Sequence, residues 1–68
     1  MMMILVTLWL NGISITLDAK AMYGVINLEH CNNELSYIIE DFGAESGECT
    51  LGDILEQNIK ILQIQPNN

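Results

Sequence analysis

The chain has no arginine and only two lysines, Lys20 and Lys60, against nine carboxylates in 68 residues. Phosphate contacts come from Lys and Arg, so this scarcity excludes direct nucleic-acid binding. Charge of either sign is missing from Met1 to Leu17, and every ionisable side chain lies between Asp18 and Lys60. Aromatic residues are few: Trp9, Tyr23, Tyr37 and Phe42. The large apolar side chains are therefore mostly Ile and Leu.

The acids that are present are concentrated. Glu40, Asp41, Glu45, Glu48, Asp53 and Glu56 fall within residues 40–56, and the net charge is −7. Such a run repels phosphate and attracts basic surfaces. Half the residues are apolar, which is too rich for disorder despite the charge. The length fits a single small acidic domain spanning 1–68. A chain of this size buries only about 60% of its extended surface, so surplus apolar surface favours association, with a homodimer among the expectations.

The uncharged start is not a membrane span, because Asn11-Gly12 interrupts it and a spanning helix needs about 20 apolar residues. Ala19-Lys20-Ala21 imitates a cleavage site, but an export signal would also need a basic region ahead of its apolar run. The expected location is the cytoplasm, with no membrane partner. Cys31 and Cys49 without an export signal favour reduced thiols, and a disulfide between them is the alternative. One His and two Cys match no common structural zinc site. No metal and no cofactor are expected.

The fold class expected is α+β: a small antiparallel sheet of two β-hairpins plus a C-terminal strand, with one short helix packed on it. The first hairpin spans 3–18. Ile4, Val6, Leu8 and Leu10 alternate with Leu5, Thr7 and Trp9, and Ile13, Ile15 and Leu17 alternate with Ser14 and Thr16. Asn11-Gly12 between them tolerates the positive φ of a type I′ turn. The first strand is apolar on both faces and should be central.

A second hairpin is expected over 22–41, with a turn at Cys31-Asn32-Asn33. The rival reading is a helix with Ala21, Met22, Val25 and Ile26 as its apolar stripe, weakened by Gly24. An acidic loop follows at 42–49. Thr50 and Asp53 resemble a capping box, which places a helix at 50–57. A last strand is expected at 59–65, against the alternative of one unbroken helix from Thr50 to Ile64.

Candidate chemistry is sparse. His30-Cys31 is the one adjacent base and nucleophile, and neighbours on a strand point to opposite faces. The carboxylates of 41–48 fail the ordered ligand pattern of an EF-hand loop. No catalytic residue is assigned and no enzyme activity is expected.

What remains is a binder. Carboxylates on a rigid surface can occupy a groove built for phosphates, so the expected partner is a basic protein surface on a nucleic-acid-binding protein or nuclease complex. Glu40, Asp41, Glu45, Glu48, Asp53 and Glu56 would supply the charge, and Trp9 and Tyr23 the apolar anchors. Small acidic phage-encoded inhibitors, including anti-CRISPR and other anti-defence proteins, work by this economy, an analogy of size and charge alone. The alternative is a structural or oligomerisation module whose acids only keep it soluble.

Overall fold

A computed structural model of the chain describes residues 2–52 and 61–66. It is an α+β fold, an antiparallel sheet with helix packed on one face. The elements in chain order are β1 (Met3–Leu10), β2 (Ile13–Asp18), α1 (Ala19–Tyr23), α2 (Leu28–Phe42), β3 (Ser46–Gly52) and β4 (Ile61–Pro66). The sheet order is β3-β1-β2-β4.

The first hairpin forms as its alternation requires. Asn11 and Gly12 take φ of 51° and 78°, and β1 pairs β2 from Leu10↔Ile13 back to Leu5↔Asp18. Positive φ at both turn positions matches the right-handed twist of the strands, and Asn and Gly accept it at least cost. β1 is central, flanked by β2 and β3, as its two apolar faces demand.

Strand alternation then sorts the side chains. Val6 and Leu8 share a face with Ile15 and Leu17 of β2 and Gly47 and Cys49 of β3. This face meets the helices, and its core of Val6, Leu8, Leu17, Val25, Cys31 and Ile38 is fully buried. Burying each large aliphatic side chain contributes about 1.5–3 kcal/mol. The opposite face carries Leu5, Thr7, Trp9, Ser14, Thr16 and Glu48. There the Thr7 and Thr16 hydroxyls hydrogen-bond across the strands at 3.2 Å. Leu5 is buried on that side beside Gly52, where an added Cβ would lie 2.5 Å from Leu5 Cδ1.

The hairpin expected over 22–41 is instead two helices. α1 begins at Asp18, whose carboxylate accepts from the Ala21 N–H at 3.1 Å, and ends at Gly24 in the left-handed region. α2 begins at Asn27, whose side-chain oxygen accepts from the His30 N–H at 2.7 Å. Such a cap contributes about 1 kcal/mol. The His30 Nδ1 accepts in return from the Ile26 N–H at 3.1 Å. Leu28, Cys31, Leu35, Ile38 and Phe42 recur at alternating steps of three and four, which builds one apolar helix stripe. Gly43 closes α2 at φ 82°, donating to the Ile39 and Glu40 carbonyls. Asn32 and Asn33, expected as a turn, are exposed positions within α2.

The region after α2 is shorter in loop and longer in strand than expected. Of the loop expected at 42–49, Phe42 ends α2 and Ser46 to Cys49 belong to β3. Thr50, expected as a helix cap, pairs with Leu5 inside β3. A β-branched residue on a pleated surface suits that role. Leu51 and Gly52, expected in the same helix, also belong to β3 and pair with Ile4 and Met3. Positions 53–57 of that helix, and the first two residues of the strand expected at 59–65, lie outside the described residues. β4 covers the rest of that strand and pairs with β2, with a register shift at Thr16/Leu17.

Cys31 and Cys49 are joined by a disulfide, with Cα atoms 6.1 Å apart. This corrects the expectation of free thiols. The physical reason is the helix: a turn at Cys31 would leave the thiol at a hairpin tip, whereas α2 carries it inward over Cys49 of β3. Among the described residues no helix is long and apolar enough to cross a membrane.

Candidate functional site

The acids nominated by the sequence lie in three settings. Glu40 and Asp41 are exposed in the last turn of α2, Glu45 is exposed just before β3, and Glu48 is exposed within it. Asp53 and Glu56 lie outside the described residues. The chain brings the first three close in sequence and space through the Gly43 cap, where the Ala44 N–H also bonds the Ile39 carbonyl at 3.0 Å. Glu48 stands apart, on the sheet face turned away from α2, opposite Thr7.

The two nominated aromatics are both half-buried and do not meet. Trp9 lies at the end of β1, where its carbonyl accepts from the Glu45 N–H at 2.8 Å. This backbone hydrogen bond fixes Glu45 beside Trp9. Tyr23 lies in α1 and faces α2. Its hydroxyl is held above the usual phenol range, first by burial, then by the Asp41 carboxylate and by Tyr37. All three disfavour the phenolate.

Tyr37 is a residue that sequence reasoning misses. It is 61% exposed and belongs to the α2 row Glu34, Tyr37, Asp41, with steps of three and four that place all three on one helix flank. Tyr is among the side chains that most often anchor interfaces. The signal was present in that spacing, but it becomes meaningful only once 28–42 is known to be helical.

The last turn of α2 has an unusual electrostatic composition. It contains Glu40 and Asp41 and no basic residue. A helix C-terminus already presents unpaired carbonyls equivalent to about half a negative charge, so each acid there costs about 0.3–1 kcal/mol at low salt. At the other end Glu29 occupies the first turn, where a carboxylate is favoured.

A concavity lies at the end of β1 opposite Trp9. It is an open cleft of about 310 Å³ lined by Met2, Met3, Ile4, Asp18, Lys20 and Ile26. Asp18 is committed there to capping α1. Among the described residues no three His, Cys, Asp or Glu side chains gather as metal ligands. His30 and Cys31 are both spoken for, one in the α2 cap and one in the disulfide. No protein-family model, curated protein or solved structure matches the chain.

Proposed function

We propose that the chain is a non-catalytic binding protein that occupies a basic, nucleic-acid-handling surface of a larger protein and excludes phosphate from it. Anti-defence inhibitors of the anti-CRISPR kind provide the model for such an economy. The observation that carries the reading is the placement of Glu40 and Asp41. Charge kept only for solubility can sit on any exposed position, and the C-terminal turn of a helix is among the least favourable. Retaining two acids there, with Glu45 just beyond, is a local sacrifice of stability of the kind found at functional sites. Tyr37, Tyr23 and Trp9 supply apolar area near the acids. The site of action is the cytoplasm, where such a partner works. The Cys31–Cys49 bond is the one feature that favours an oxidising compartment instead, and counting free thiols in protein from its native host decides between the two.

Reversal of the charge tests the reading. Glu40→Lys with Asp41→Lys should stabilise the fold by about 0.5–2 kcal/mol, because each change replaces a repulsive end charge with an attractive one. The same variant should lose capture of a basic partner from host lysate. Capture by the unchanged protein should be competed by an added DNA or RNA oligonucleotide. It should also weaken in about 0.5 M salt, which shortens the screening length to about 4 Å. Capture that survives the reversal and resists both salt and oligonucleotide would sink the proposal.

A further inference from the structure

We infer that the outer edge of β3 receives an extended, lysine- or arginine-bearing segment of a partner as an added strand. Among the described residues β3 has a single neighbour, β1, and pairs with it without a register shift from Met3↔Gly52 to Trp9↔Ser46. Among the described residues no strand lies beside its other side, which presents a row of backbone donors and acceptors. Folded proteins commonly guard such an edge with lysine, proline, a bulge or a very short strand. β4, the opposite edge, carries a register shift at its pairing with β2 and ends in Pro66. β3 has no lysine, no proline and no bulge over its seven residues, Ser46–Gly52, and the one charge on it is Glu48.

The edge is also held rigid. Cys49 at its middle is bonded to Cys31 of α2, and Gly47 is wedged under Leu8 and Ile39. A preorganised edge lowers the ordering cost of strand addition. Charge selects the occupant. The single ionisable residue of β3 is Glu48, exposed near its centre, with Glu45 just ahead of it. Antiparallel pairing of two copies through this edge would bring Glu48 of each near that of the other, in chains of net charge −7, and like charges across strands destabilise pairing. A basic strand reverses that sign. Leu51, 52% exposed, gives an incoming strand an apolar contact.

This inference rests on the protein being a binder of basic partners, and the experiment separates the two. The probe is an alternating lysine–valine peptide about as long as β3, with a copy N-methylated at alternate residues as control. Backbone amides of Ser46–Gly52 should exchange with deuterium about tenfold more slowly at saturating peptide. Glu48→Gln should weaken binding about two- to fivefold, and the N-methylated peptide should not protect β3. Equal protection by the methylated peptide, or protection elsewhere with β3 unchanged, overturns the inference. So does concentration-dependent protection of β3 by the protein alone, which would assign the edge to a second copy. If oligonucleotide-sensitive capture of a basic partner persists while β3 amides stay unprotected in that complex, the inference fails and the proposed function stands. If the peptide protects β3 but reversal of Glu40 and Asp41 leaves capture unchanged, the edge is a docking site and phosphate mimicry is wrong.

Discussion

Reducing the Cys31–Cys49 bond should cost this domain a large part of its stability without changing its fold. The two cysteines are 18 residues apart in sequence, and the closed loop contains most of α2, the Gly43 cap and the start of β3. Cross-linking a loop of that size removes about 11 cal/mol/K of entropy from the unfolded chain, or about 3 kcal/mol at 25 °C. For a domain of this length each kcal/mol corresponds to about 4–8 °C in Tm, so the expected fall is about 12–24 °C. α2 should remain docked, because Leu35, Ile38, Ile39 and Phe42 still pack on the sheet. The assay is urea unfolding followed by Trp9 fluorescence and far-ultraviolet circular dichroism, with the protein oxidised, equilibrated with reductant, and as Cys31→Ala with Cys49→Ala. The reduced protein should show a lower midpoint and a steeper dependence on urea, since its unfolded ensemble is more expanded. The alanine variant should lose somewhat more, because Cys31 is fully buried and truncation leaves a void. A reduced protein within about 1 kcal/mol of the oxidised one would refute the loop-entropy account. Failure of the native protein to react with thiol reagents until it is reduced is the accompanying check.

Gly47→Ala should destabilise by about 1–3 kcal/mol, the range for an overfilled core, measured by the same unfolding curves. The added Cβ would lie 2.7 Å from Leu8 Cδ2 and 3.2 Å from both Ile39 Cγ1 and the Thr7 carbonyl, and no cost would show that α2 can lift off the β3 edge freely. The raised Tyr23 hydroxyl gives a pH dependence with a defined sign. The unfolded chain loses that proton first on the alkaline side, so the stabilisation is complete below the ordinary phenol value of 10.0. It is lost as pH rises through the folded-state value. Ultraviolet titration of the phenolates should show Tyr23 ionising late, and Asp41→Asn should bring it earlier by removing the neighbouring carboxylate charge.

The hairpin at the start of the chain could be read directly because its evidence is local. Strict alternation, an Asn-Gly turn and two apolar faces on Met3–Leu10 each concern neighbouring residues, and each leads to a central β1. The segment 22–42 could not be read as easily. Asn27 and Gly43 are good helix punctuation, and Leu28, Cys31, Leu35, Ile38 and Phe42 keep helical phase between them. Two things obscured that phase: Gly24 broke an earlier apolar stripe, and Asn32-Asn33 imitated a turn. Both asparagines tolerate exposed helix positions at a modest propensity cost. The disulfide was illegible for a related reason. Two cysteines 18 residues apart meet only if the intervening chain reverses at Gly43, which is a tertiary fact.

The change from hairpin to helix also alters what the acids can do. As strand residues, Glu40 and Asp41 would point to opposite sheet faces and their charges would divide. In the last turn of α2 both sit at a helix terminus, added to its carbonyl dipoles, with Glu45 one short turn away. Their field is then strongest where the helix layer and the sheet layer meet at the start of β3. Glu48 contributes from the other side of the sheet, so the charge surrounds the outer edge of β3 without forming one flat face. A phosphate groove copied by this molecule would therefore be met along a rim, with backbone and carboxylate groups presented together. Salt should weaken such binding strongly but leave a residual fraction, because the backbone hydrogen bonds of an added strand are not screened. Binding abolished outright by salt would place all of it in the carboxylates and none in the edge.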